Sequence, residues 1–243
     1  MSLVPPHGDL GAPGLEFETR ESKEPRAVGF ILAGGQSRRM GADKALVELN
    51  GRPLISHALD LVRAAGLPAF IAGARSPLES FATVVPDSGT SKGPLDGICA
   101  ALENLRHSPT SPPIEHAVFL SVDLPLLPPS LLRYLLHHAR ITGRGVTLPS
   151  VNGFAQTFPV VLSPDALPVL KRELDSGRAG CFSAFQLVAA DRGEHVSLLP
   201  VEVLVQSRKI AHPAALPAAR WFFNINAPAD LDRASIMRAG RVI

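Results

Sequence analysis

From residue 27 onward, short apolar runs alternate with longer amphipathic stretches. Val28-Gly29-Phe30-Ile31-Leu32 is an unbroken apolar run ending in Ala33-Gly34-Gly35, the pattern of a strand covered on both faces and followed by a tight loop. Over 53–65, Leu54, Ile55, Ala58, Leu59, Val62 and Ala65 fall on one helical stripe, with Pro53 suited to the first turn and Gly66 to the stop. The alternation predicts strands over 69–72, 83–85 and 117–122, the last ending at Asp123. Between them lies a helix over 95–106, whose Leu95, Ile98, Leu102 and Leu105 share a face, and the Ser/Pro/Thr run over 108–113 reads as a surface connection. Pro128 and Pro129 open a further helix to about residue 140. Repeated strand, loop and helix units predict an α/β fold with a doubly wound, mostly parallel sheet and helices on both faces.

The second half carries weaker signals. Strands are expected over 146–148 and 157–162, and helices over 165–174, 181–190 and 227–238. The stretch 196–219 combines β-prone Val201, Val203, Leu204 and Val205 with a Pro- and Ala-rich tail, and reads as a strand plus a long loop. Residues 1–25 carry Pro5, Pro6, Pro13 and Pro25 without apolar periodicity, which predicts a flexible lead-in to a single domain over 26–243.

Composition narrows the partners. Of 243 residues, 46% are hydrophobic and 19% charged, enough apolar content for a sizeable core. The 24 Lys and Arg against 22 Asp and Glu leave a net charge of +2, too weak a balance for nucleic acid or an anionic membrane as main partner. Cys99 and Cys181, 82 positions apart, build neither a disulfide framework nor a paired-cysteine metal knuckle, which fits a reducing compartment. With no apolar run of about 18 residues and no secretory pattern at the start, a cytoplasmic protein is expected.

The loop after the first strand holds the most chemistry. Leu32 to Lys44 reads LAGGQSRRMGADK, at the carboxyl end of a strand, where ligands collect in open parallel sheets. Its glycines let backbone N–H groups approach phosphate, and Arg38, Arg39 and Lys44 supply positive charge for a polyphosphate. It is not a P-loop: five residues separate Gly35 from Gly41, Lys44 stands three beyond Gly41, and Ala45 follows it. Neither Gly34 nor Gly35 begins a dinucleotide fingerprint. A glycine-rich turn followed by a solvated basic stretch is the alternative reading.

The run LAGGQSRRMGADKAL resembles the signature of the molybdenum cofactor guanylyltransferases, MobA-type members of the nucleotidyltransferase superfamily with a Rossmann-like fold. Four further segments follow in the family's order: LNGRPL over 49–54, GPLDG over 93–97, VDLP over 122–125 and FNINAPADL over 223–231. The resemblance implies nucleotide contacts at Leu32, Ala33, Gly34, Gly35, Lys44, Asp87, Gly93, Pro94, Leu95 and Asp123, with Mg²⁺ held by Asp123. Lys44, Arg39 and Asp123 are the implied catalytic residues. Asn224, Asn226 and Arg178 are the implied acceptor contacts. Two departures stand out. Ala72 and Gly73 occupy the place where the family often carries a nucleotide-contacting Asn, and the usual Thr and Glu of N-x-N-T-P-E-D are Ala227 and Ala229.

Plainer readings exist for several of these residues. Asp123 could cap a turn, and Asn224 and Asn226 either share a strand face or precede a helix. His137 and His138 are expected to be solvated near a helix end, and Cys181 a packed thiol. The implied reaction is transfer of GMP from Mg-GTP to the phosphate of molybdopterin, or Mo-molybdopterin, with release of pyrophosphate. Other cofactor-biosynthesis proteins are further implied partners. Cytidylyl transfer to the same pterin, transfer to a sugar phosphate and a non-catalytic nucleotide-binding regulator are the alternatives. Gly34 of Leu32-Ala33-Gly34-Gly35, where cytidylyl-transferring relatives read L-A-A-G, implies a preference for GTP.

Overall fold

The computed structural model describes residues 26–33, 43–73, 76–87, 93–107 and 113–238. The expected lead-in over 1–25 therefore lies outside the described residues. β1 (Ala27–Leu32) is buried along its whole length, and its side chains alternate. Ala27 and Ile31 enter one core, while Val28, Phe30 and Leu32 enter the other. A single 3₁₀ turn at Lys44–Leu46 leads into β2 (Glu48–Leu49) and β3 (Arg52–Pro53). These strands form a hairpin closed by Asn50 and Gly51 at φ 54° and 73°, the left-handed pair that a two-residue turn requires. α1 (Leu54–Ala64), β4 (Ala69–Ala72), β5 (Val84–Val85), α2 (Pro94–His107), β6 (His116–Ser121) and α3 (Pro129–Thr142) follow within a few residues of their expected bounds. Pro53 stands at the N-cap of α1 and also pairs in β3.

The second half adds β7 (Val146–Val151), β8 (Phe154–Ala155), β9 (Val160–Leu162), α4 (Leu167–Asp175), α5 (Cys181–Asp191), β10 (Ser197–Pro200), α6 (Val201–Gln206), α7 (Ala218–Trp221) and α8 (Pro228–Arg238). The main sheet runs β5-β4-β1-β6-β9-β7-β10, with β8 paired to β7. β1 is parallel to both β4 and β6, and β7 is parallel to β10, whereas β9 runs antiparallel to its neighbours β6 and β7. The mostly parallel, doubly wound α/β sheet is thus as expected, with β9 and the short β8 the reversed strands.

Helices cover both faces. Leu54 and Leu59 of α1, Leu131 and Leu135 of α3, Val201 of α6 and Trp221 of α7 pack with Ile31, Val118 and Leu120 on one side. Ile98 and Leu102 of α2, Leu170 of α4 and Phe185 of α5 pack with Phe30, Phe119 and Leu162 on the other. Phe30 and Phe119, register partners on β1 and β6, stack with ring centroids 5.4 Å apart. Gly29 lets α1 lie close to β1, since a Cβ there would sit 2.3 Å from Val62 Cγ1. Among the described residues no helix is long and apolar enough to cross a membrane.

One prediction fails over 196–219. Only 197–200 form a strand, and the β-prone valines begin α6 instead. Val201 and Leu204, three apart, bury one helical face, while Val203 stays 56% exposed. Pro200 at the N-cap and Glu202 in the first turn favour the helix start, and Glu202 Oε1 accepts the Asn152 N–H at 2.8 Å. Packing here outweighs the weak strand preference of valine. The irregular segment beyond is pinned by His212, which bonds Leu126, and by Trp221, whose ring N–H donates to the Leu216 carbonyl.

Candidate active site

Lys44 is set in place by its neighbours. Asp43 caps the 3₁₀ turn through the Ala45 N–H at 3.1 Å, and Ala45 is buried in the core beneath. The Lys44 ammonium reaches across to Asp123 Oδ2 at 2.8 Å and to Asn226 Oδ1 at 2.8 Å. Three segments far apart in sequence thus meet at one cation.

Asp123 lies just past β6, whose last residue, Ser121, is the register partner of Leu32 at the end of β1. The Leu32 carbonyl accepts the Val122 N–H, and the Asp123 carbonyl accepts the Ile225 N–H at 3.1 Å. Ile225 is fully buried, and the two flanking residues, Asn224 and Asn226, are exposed. The two Asn do stand either side of a buried residue, but in an irregular segment leading to α8 rather than on a strand. Asp230, in the first turn of α8, closes the arrangement by accepting the backbone N–H groups of Asn226 and Ala227 on one oxygen, both at 2.9 Å. Those bonds hold its carboxyl below the usual carboxylate range, with Arg233 and then Lys44 adding to the effect.

Asp123 has one oxygen on Lys44, and its Oδ1 is buried without a hydrogen-bond partner among the described residues. A buried acceptor of that kind suits a hard cation. No cluster of three or more His, Cys, Asp or Glu that could hold a metal occurs among the described residues. A cation here would draw its other ligands from water and from a bound phosphate chain.

Comparison with known proteins decides the family. A MobA-like NTP transferase domain matches residues 29–196. The chain belongs to the MobA-like NTP transferases. The Pelotomaculum thermopropionicum protein named probable molybdenum cofactor guanylyltransferase is 28% identical to this transferase, over 89% of this chain and 98% of its own. The molybdenum cofactor guanylyltransferase of Shewanella halifaxensis is 34% identical, over 60% of this chain and 72% of its own. In fold, the transferase is similar to molybdopterin-guanine dinucleotide biosynthesis protein A of Archaeoglobus fulgidus, with a TM-score of 0.66 at 24% identity, covering 87% of this chain and 98% of that one.

The remaining expected site residues of the transferase are spread more widely. Ala33 donates its N–H to the Ala72 carbonyl at 3.1 Å, so the end of β1 is knitted to β4 at the position where an Asn side chain is missing. Gly34, Gly35 and Arg39 lie outside the described residues. Gly93, at φ 82°, and Pro94 start α2 and are exposed. Leu95 is fully buried in the core, so only its backbone can meet a ligand. Asp87 follows β5 and lines a groove of about 560 Å³ that runs along α2 and α4 past Asp96 and Lys171.

Arg178 is held elsewhere. Its guanidinium makes a two-pronged pair with Glu173 at 2.7 and 2.8 Å, in the loop after α4, and is not among the groups that Lys44 gathers. His138 corrects another expectation: it is half-buried, bonds Ser197 Oγ at 3.1 Å, and burial lowers its pKa, whereas His137 is exposed. Both cysteines are packed thiols, pushed by burial up to about 12 for Cys99 and about 11 for Cys181. Sequence reasoning named Lys44, Asp123 and Asn226 but passed over Asp43 and Asp230. Their signal was capping geometry: an Asp directly before a short helix, and an Asp three residues after the N-cap position at Ala227.

Proposed function

We propose that this transferase moves the GMP group of GTP onto the phosphate of molybdopterin, or its Mo-loaded form, making molybdopterin guanine dinucleotide and pyrophosphate. The observation that carries the reading is Lys44 bridging Asp123 and Asn226 at 2.8 Å each, which gathers three of the quoted motifs around one cation. The substrates are supported by the relatives named as molybdenum cofactor guanylyltransferases.

An acceptor phosphate oxygen forms the new bond to the α-phosphorus, and the bond between that phosphorus and the α,β-bridging oxygen breaks. The acceptor is already an anion at neutral pH, so no strong general base is required. The protein's work is positioning and charge neutralisation. Two of the three ammonium donors of Lys44 are used on Asp123 and Asn226. The third is available to a phosphate oxygen. Arg39 is the second cation of this reading. Asp123 Oδ1 would hold Mg²⁺, which would supply positive charge beside the phosphates.

A thermal-shift panel of nucleoside triphosphates with and without Mg²⁺ tests the nucleotide half of this reading. GTP with Mg²⁺ should raise the Tm more than CTP or ATP. Equal shifts for all three, or none with Mg²⁺, would count against it.

A further inference from the structure

Asp230 is unlike an ordinary helix-capping acid. Its Oδ2 accepts two successive backbone N–H groups, Asn226 and Ala227, both at 2.9 Å. Only the second belongs to the N-cap position of α8. The first belongs to the residue whose side chain holds Lys44. Ala227 has no side-chain oxygen to serve the first amides of the helix, so Asp230 supplies the side-chain anchor seen at this junction.

The helix does not need Asp230 to dock. Ala234 and Met237 are buried, and Arg238 bonds the His57 ring at 2.7 Å, so the far half of α8 is fixed independently. On the other side of Asn226, Ile225 is buried and donates its N–H to the Asp123 carbonyl. Asn226 is therefore clamped between a core anchor and a carboxylate. The same two N–H groups, with Arg233 and then Lys44 adding, hold the Asp230 carboxyl below its usual range.

We propose that Asp230 is a positioning residue for the transfer, fixing the Asn226 backbone so that its side-chain oxygen holds Lys44 where phosphate charge develops. This rests on the transfer reading above. The effect runs through Asn226: without the bond to its N–H, the amide can drift, and a displacement of about 1 Å at a catalytic cation costs on the order of 10- to 100-fold in rate.

A set of five variants separates positioning from plain capping: Asp230→Ala, Asn226→Ala, Lys44→Ala, the double Asp230→Ala/Asn226→Ala, and Asp230→Ala/Ala227→Thr. Asp230→Ala should lower kcat by about tenfold or more with a smaller change in the KM for GTP, and should also lower the Tm. Adding Ala227→Thr gives α8 a new cap but leaves the Asn226 N–H without its carboxylate, so the Tm should recover and kcat should not. In the Asn226→Ala background, Asp230→Ala should cost less than about twofold more, because both act on one path. Recovery of kcat together with Tm, an unchanged kcat in Asp230→Ala, or fully additive losses would each overturn the positioning role. Full activity in both Lys44→Ala and Asn226→Ala would instead remove the transfer reading on which the role depends.

Discussion

Lys44 Nζ lies 2.8 Å from Asp123 Oδ2, and the two side chains are equally shielded, each 18% exposed. A lysine 79 positions before the aspartate in sequence thus neutralises the carboxylate that faces the proposed phosphate site. The same ammonium is held by Asn226, so the cation cannot turn away without breaking both bonds. In the proposed reading the third Lys44 donor goes to a phosphate oxygen, and the second Asp123 oxygen is left for a cation.

Lys44→Ala should reduce kcat/KM by about 10²-fold or more, as removal of a group aimed at developing charge does. Stability should fall too, since the partly buried Asp123 carboxylate loses its cation; about 1 kcal/mol is expected, or 2–4 °C in Tm at this chain length. Combining Lys44→Ala with Asp123→Asn should restore most of the Tm and none of the activity. A double variant as unstable as the single one would show that the ion pair is not the source of the loss.

Asp123→Asn alone should keep the fold and lose about 10²-fold or more in rate, equivalent to about 3 kcal/mol of transition-state stabilisation. An amide is a poor ligand for a hard dication, so the residual rate should respond weakly to added Mg²⁺. A titration of rate against Mg²⁺ in both proteins checks this. An unchanged Mg²⁺ response would remove Asp123 from the metal site.

Mild acid should loosen the fold through buried histidines. His57 donates from Nε2 to the Leu49 carbonyl and accepts from Arg238 on Nδ1, and His212 donates to the Leu126 carbonyl and accepts the Ala214 N–H. Burial lowers both pKa values below 6.5. In the unfolded chain these rings take up a proton near pH 6.5, whereas in the fold they resist it until lower pH. The unfolded state thus binds more protons in that window, and stability falls as pH drops below about 6.5, by at most about 1.4 kcal/mol per pH unit per histidine. Tm measured from pH 7.5 to 5.5 should decline, and His212→Gln should start lower and decline less. An identical slope in the variant would rule out His212 as a contributor.

The strand and helix order from β1 to α3 was legible because both signals were strong: apolar runs for strands covered on two faces, and wide apolar stripes for the helices. The hairpin of β2 and β3 had a readable Asn50-Gly51 turn, but its strands of two residues are too short for a period to emerge. α6 was misread because valine favours strands locally, and only the buried positions of Val201 and Leu204 reveal the helical face. The direction of β9 left no mark in the sequence, since a short buried run reads alike either way. In the site, the motifs supplied Lys44, Asp123 and Asn226 as candidates. Their meeting at one ammonium depends on chain topology, and so does the diversion of Arg178 to Glu173.

The measurement that bears most directly on guanylyl transfer is a competition of equal GTP, CTP and ATP, with Mg²⁺ and molybdopterin as acceptor, read by the mass of the dinucleotide product. One polar contact left unpaired by the wrong base costs about 1–3 kcal/mol, which corresponds to roughly 10- to 100-fold discrimination. Molybdopterin guanine dinucleotide should therefore exceed the other products by at least about tenfold, with one pyrophosphate released per dinucleotide formed. A cytidylyl or adenylyl product in excess would contradict guanylyl transfer while leaving the MobA-like family intact. Absence of any dinucleotide in a protein that binds Mg-GTP would contradict molybdopterin as the acceptor.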